Sequence, residues 1–199
     1  MTVKQIVKKY WRYPICRYYR KKLKVGEFTI ISSDCAGGCL YHDLGLRFAS
    51  PTINLTVPKS LDFFERLDHY LKIEPVADGY SKHGAPVMRL DDIEIIGVHY
   101  SSHEELIRKW NERCRRIKWD RIVIMTNSRF VCGEADIARF AKLPYPKVLF
   151  TKEIPQNPFE VFAPALNEGA DLTAYCDLWG RRYFEKYFDC VRFLNESVE

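Results

Sequence analysis

No run of apolar residues approaches the roughly 18 that a spanning helix requires. The basic N-terminus is not followed by an apolar h-region, which argues against a secretory signal. The P-loop, the G-x-G-x-x-G fingerprint, the G-x-S-x-G elbow and H-E-x-x-H are all missing, so several common phosphate, dinucleotide, hydrolase and zinc-protease chemistries are set aside. No C-x-x-C pair occurs either. The seven cysteines are odd in number and scattered, with Cys35 and Cys39 four apart, which fits reduced thiols in a cytosolic protein. One further absence is local: residues 1–24 hold no acidic side chain.

That last gap reorganises the charge. The chain has 31 Lys plus Arg against 26 Asp plus Glu, a formal +5. Nine of the basic residues lie in residues 1–24, which leaves 22 basic against 26 acidic in the rest, a net of −4. The two parts are therefore read separately, as a basic amphipathic arm over residues 1–25 and a single domain over 26–199. With 47% hydrophobic residues, a body of that length is able to build one core.

In the arm, Val3, Ile6, Val7, Tyr10 and Trp11 recur at helical spacing, with Lys4, Lys8, Lys9 and Arg12 on the other side. Pro14 is expected to end or kink this helix, and Tyr18, Tyr19 and Leu23 interleave with five more basic residues beyond it. Three readings fit. The arm lies on an anionic membrane surface, binds nucleic acid through phosphates and stacked bases, or packs on the body through Val3, Ile6 and Tyr10. The acidic body argues against broad nucleic-acid contact.

Past the arm, short β-rich runs alternate with helical patterns. Strands are expected at Phe28–Ser32, Pro51–Val57, Ile93–Tyr100, Arg121–Thr126 and Lys147–Thr151, with a last one near Val161–Ala163. Helices are expected at Lys59–Lys72, Ser102–Lys118 and Glu134–Leu143, and near the C-terminus over Arg181–Tyr187 and Val191–Leu194. Glu74–Arg89, with its Gly and Pro residues, reads as a loop covering a site. The alternation implies an α/β fold, a three-layer Rossmann-like domain with a largely parallel or mixed sheet.

The densest chemistry lies in residues 28–46, FTIISSDCAGGCLYHDLGL. A buried strand runs into Ser33, Asp34 and Cys35, then Gly37 and Gly38 open a helix whose amides suit an anion. Cys35, at a strand end beside amide donors, is a candidate nucleophile with a lowered pKa. A buried structural thiol in a tight Gly-Gly turn is the alternative. His99, at the end of IEIIGVHY, is the candidate base, against a hydrogen-bonded core histidine. Asp91, Asp92 and Glu94 would hold a divalent metal opposite a diphosphate donor or form a solvated turn, and no metal site is assigned. Arg113 is a candidate phosphate or carboxylate clamp, and Asn127 lies in a polar cluster, Thr126–Arg129, at the expected cleft edge.

In order and spacing, FTIISSDCAGG (28–38), LGLRFASPTINL (44–55), DDIEIIGVHY (91–100), KWNERCRRIKWD (109–120), IVIMTNSR (122–129) and WGRRYFEKYFDCVRFLN (179–195) resemble a bacterial family of uncharacterised domains often labelled exopolysaccharide biosynthesis proteins. That family more often reads Asn-Asn-Cys-Trp-Gly-Gly at the first motif; here Asp34 and Ala36 stand in place of an Asn and the Trp, while Cys35, Gly37, Gly38 and His99 fit as they are. The resemblance implies an accessory enzyme of surface-polysaccharide assembly. The expectation is a cytoplasmic group transferase for glycosyl, acyl or phosphoryl groups, peripheral at the inner face of the cell membrane. Its partners would be an activated donor, a glycan acceptor of lipid-linked type, and an anionic membrane surface contacted through residues 1–24. Catalysis would rest on Cys35 and His99, and substrate binding on Ser33, Asp34, Gly37, Gly38, Asp92, Arg113 and Asn127. No cofactor is identified. The competing class is a non-catalytic partner in glycan assembly.

Overall fold

The computed structural model describes the backbone of residues 3–198 and the side chains of residues 10–198. The chain opens with α1 (Val3–Lys22), a continuous helix that runs through Pro14. Proline removes the amide that would bond the Tyr10 carbonyl, but Tyr10 and Pro14 are both exposed, on a side of the helix where solvent is at hand to replace that bond. The expected end at Pro14 is therefore absent.

There follow β1 (Thr29–Ser32), α2 (Ala36–Leu44), α3 (Ser60–Glu65), α4 (Leu67–Tyr70), β2 (Val76–Tyr80), β3 (Pro86–Leu90), β4 (Ile93–Ile96) and α5 (His103–Cys114). The remainder comprises β5 (Ile122–Asn127), α6 (Gly133–Ala141), β6 (Lys147–Thr151), β7 (Glu160–Phe162), α7 (Tyr183–Tyr187) and α8 (Cys190–Ser197). Strands β1, β5, β6 and β7 form a parallel sheet in that order, and β2, β3 and β4 form a separate antiparallel sheet. This is the expected α/β fold, with a mixed complement of strands divided between two sheets.

The period of two along the parallel strands builds two cores. Ile31, Ile122, Ile124 and Leu149 face α3, α4, α5, α6 and the antiparallel sheet. Phe28, Ile30, Val123, Met125, Val148 and Phe150 face α2, Phe184 of α7 and the α8 residues Val191 and Leu194. Because both faces are covered, β1 and β5 are buried along their whole length, which is why they read as continuous apolar runs.

Four local expectations are corrected. Residues 51–57 do not form a strand: Ile53, Leu55 and Val57 are buried at alternate positions, but Asn54 takes a left-handed backbone (φ 63°) that breaks the extended run. The segment is instead tied at points, Val57 donating its amide to the Ser33 carbonyl (2.9 Å) and Thr56 bridging Ile96. Residues 74–89, read as a loop, hold the β2–β3 hairpin; β2 is an exposed edge with no apolar alternation, so the sequence gives it no strand signature. The helix over 59–72 breaks at Arg66 (φ −121°) into α3 and α4. Finally, β4 stops at Ile96, and residues 97–100 form a turn.

Candidate functional site

The carboxyl end of β1 carries Ser33 and Asp34, and the carboxyl end of the adjacent β5 carries Thr126 and Asn127. Parallel pairing sets these side chains opposite one another. The Thr126 hydroxyl donates to Ser33 Oγ at 2.9 Å, and Asn127 Nδ2 donates to Asp34 Oδ2 at 2.8 Å. The other Asp34 oxygen accepts the amide of Ala36 (2.9 Å), and Asn127 Oδ1 accepts the amide of Arg129 (3.0 Å). Desolvation raises the Asp34 pKa; the Ala36 amide opposes this, the charge of Asp171 adds to it, and Arg129 counteracts it. The site is thus a half-buried carboxyl held from two sides at a strand end.

Gly37 and Gly38 lie inside the first turn of α2, and both are buried. Their lack of side chains lets the helix sit against β1 and the 51–57 segment. A Cβ on Gly37 would fall 2.7 Å from Ser32 Oγ, and one on Gly38 3.3 Å from Ile53 Cγ2. Cys35 is the N-cap of α2 and makes no capping bond. Burial, aided by the negative charge of Asp34, pushes its thiol up to about 12. The expected lowering by the helix terminus is overturned, because desolvation and a neighbouring carboxyl both oppose the thiolate.

The other predicted residues lie elsewhere. His99 sits exposed in the turn after β4, and no hydrogen bond joins it to Cys35 among the described residues. The turn's neighbour Tyr100 points inward instead, donating its hydroxyl to the Ile53 carbonyl at 3.0 Å. Arg113 is buried and gives its guanidinium to that same carbonyl (3.1 Å) and to the Tyr100 hydroxyl, stacking on Phe48 at 5.3 Å. It braces the 48–54 segment rather than clamping a phosphate. Asp92 is exposed in the β3–β4 turn, where it accepts from Tyr70 Oη (2.7 Å) and Arg66 (3.1 Å), apart from the Ser33–Asp34–Asn127 cluster. Among the described residues, no group of three or more His, Cys, Asp or Glu is placed to hold a metal ion.

A second polar centre went unread in the sequence. Arg12 of α1 is buried against Asp43 of α2 and Glu185 of α7, with Nε to Asp43 Oδ1 at 3.1 Å and Nη1 to Glu185 Oε2 at 2.9 Å. Arg182 completes the set, its Nε 3.0 Å from Asp43 Oδ2. Burial pushes the Asp43 carboxyl up, but hydrogen bonds and charge from Arg12 and Arg182 outweigh it and hold the group below the usual carboxylate range. The only sequence signal was Arg12 itself, one cation among nine, with nothing to separate it from those facing water. Among the described residues, no helix is long and apolar enough to cross a membrane.

The segments that build both centres fall within a single family match. A domain of unknown function, DUF1919, aligns with residues 6–195, nearly the whole chain. An uncharacterized protein of Haemophilus influenzae (strain Rd KW20) is 32% identical over 206 residues, covering 98% of this chain and 97% of that protein. With β1, the Asp34–Asn127 bracket and the Arg12 centre all inside the matched span, the chain belongs to the DUF1919 family.

Proposed function

We propose that this protein is a group transferase of bacterial exopolysaccharide or capsule assembly, working at the cytoplasmic face of the membrane on a glycan acceptor and an activated donor. One observation carries the reading. At the ends of β1 and β5 a desolvated carboxyl, Asp34, is bracketed by Asn127 and the first turn of α2. A carboxyl with raised proton affinity suits acceptance of a proton from an attacking sugar hydroxyl. In that step the acceptor oxygen bonds to the glycosyl, acyl or phosphoryl centre, its proton passes to Asp34, and the donor's leaving group departs. The start of α2, with Gly37 and Gly38, supplies amide donors toward the charge that develops. Transfer is direct, without a cysteine-bound intermediate, because a thiol held near 12 is neutral at physiological pH.

Complementation of a deletion strain tests this. Asp34→Asn keeps an oxygen for the Ala36 amide but accepts no proton, and is expected to abolish surface polysaccharide, whereas Cys35→Ser preserves it. Normal polysaccharide with Asp34→Asn removes Asp34 as the base; loss with a folded Cys35→Ser restores the thiol route. The neutral thiol and the outlying His99 favour a second reading, a non-catalytic assembly partner. In that case Asp34→Asn, Asn127→Ala and Cys35→Ser all complement while the empty vector does not.

A further inference from the structure

Helix α1 presents two faces of opposite character. Arg12, Cys16, Tyr19 and Leu23, spaced four, three and four apart, are turned toward the body. Of the sequence's apolar stripe, Tyr10 and Trp11 lie on the other side: Tyr10 is 63% exposed and Trp11 50%, against the reading in which Tyr10 packs on the body. Val3 and Ile6, named in that reading, have side chains outside the described residues. Tyr18, about one turn beyond Pro14 on this outer side, is also exposed.

A distant part of the chain extends this face. Leu178 (85% exposed) and Trp179 (63%) occupy a turn just before α7, and Trp179 meets Trp11 edge-on with ring centroids 5.5 Å apart. A cleft of about 350 Å³ between them is lined by Tyr10, Trp11, Pro14, Ile15 and Trp179. The turn is fixed from beneath: Arg12 Nη1 donates to the Gly180 carbonyl at 2.5 Å, and Gly180 itself takes a left-handed backbone (φ 79°). Further along the chain from the Tyr10 and Trp11 rings, Arg17, Lys21, Lys22 and Lys24 follow, none in an ion pair with a carboxylate among the described residues. Lys22 instead lies 5.5 Å from the centre of the Tyr18 ring.

The geometry points to a composite membrane seat, in which the outer face of α1 and the Leu178–Trp179 turn together dock on an anionic lipid bilayer. Charge selects this occupant: four cations without ion-pair partners among the described residues follow, along α1 and just past its end, exposed rings that suit the boundary between headgroups and acyl chains. The inference rests on the membrane location in the proposed function and deepens it. The contact is not a detachable arm; it is a preformed surface whose two halves are joined through Arg12.

Purified full-length protein is tested with vesicles of phosphatidylcholine, with and without phosphatidylglycerol. Expected are co-sedimentation with the anionic vesicles alone, release by salt, and quenching of tryptophan emission by brominated lipid. Leu178→Ser, at a position 85% exposed, and Trp179→Ala each weaken binding with the urea midpoint unchanged. Arg17→Ala/Lys21→Ala weakens it roughly thirtyfold, at about 1 kcal/mol for each basic residue near the surface. Binding unaffected by the changes at 178 and 179 overturns the composite seat. So does a concentration-dependent dimer that those changes dissolve, or single-stranded nucleic acid that displaces the vesicles. Vesicle binding and polysaccharide complementation are read separately: Asp34→Asn with wild-type polysaccharide removes Asp34 as the base and leaves the seat standing.

Discussion

A methyl group on Gly37 would press on Ser32 Oγ at 2.7 Å and Ile30 Cγ2 at 3.1 Å, and Ser32 is not free to swing away, since its hydroxyl bonds the Asp34 carbonyl oxygen at 2.7 Å. Gly37→Ala is therefore expected to cost about 1–3 kcal/mol in urea unfolding, the range for overpacking a tight core. Gly38→Ala, whose nearest neighbour is the movable Ile53 side chain at 3.3 Å, is expected to cost less. Equal effects would contradict this reading of the motif. The Gly-Gly pair was legible as a close approach of backbone, but its partners were not, because Ser32 and Ile53 reach it only through the fold. Cys35 shows the same limit at the level of charge. A helix start after a strand suggests an activated thiol, and the opposing burial is a tertiary property that no spacing encodes. Ser33, Asp34 and Asn127 were assigned to one site from their places at strand ends, and parallel pairing brings them together.

At the scale of elements, the one buried charge of α1 among the described residues is Arg12. Arg12→Ala leaves Glu185 without its guanidinium and Asp43 with Arg182 as its one guanidinium, both carboxylates having side chains almost closed to water. The expected loss is about 3–5 kcal/mol, the cost of leaving buried charge unpaired. Arg12→Lys recovers only part of it, because an ammonium cannot present the planar fork that meets two carboxylates and a carbonyl. An unchanged urea midpoint for Arg12→Ala would show that the Arg12 centre contributes nothing to the fold. The helices with strong apolar periodicity and good caps were readable: α5 starts where Ser102 accepts the Glu105 amide at 3.2 Å. Strands buried on both faces were readable as well, as apolar runs. The β2 edge was not, since an exposed strand has the composition of a loop. Nor was the packing face of α1, where a buried arginine stands among apolar neighbours and the conspicuous aromatic stripe points outward.

For the whole molecule, Asp34 and Asp43 give stability opposite dependences on pH. Asp43 titrates below its ordinary 3.8 in the fold, so its pairing is fully stabilising above that value and is lost as the pH falls through the folded pKa. Asp34 titrates above 3.8, so its protonated form favours the fold and its contribution declines as the pH rises through the folded pKa. The stability difference between wild type and Asp43→Asn is expected to be largest near neutrality and to shrink below about pH 4. A difference constant across that range would show that the Arg12–Asp43–Arg182 set is not what holds Asp43 ionised. The pairing of β1 with β5 bears on how this molecule comes to exist at all. Thr29 lies beside Ile122, and all of α2 to α5, with the antiparallel sheet, is threaded between them. During synthesis β1 has no parallel partner until β5 has left the ribosome, so its apolar run must wait, covered only by α2 and local chain. Loop closure over that span places the parallel sheet late in folding, after the β2–β3–β4 meander, whose pairings are local. A nascent chain cut short before Ile122 would hold the first half of the Asp34 bracket with no second half to meet it.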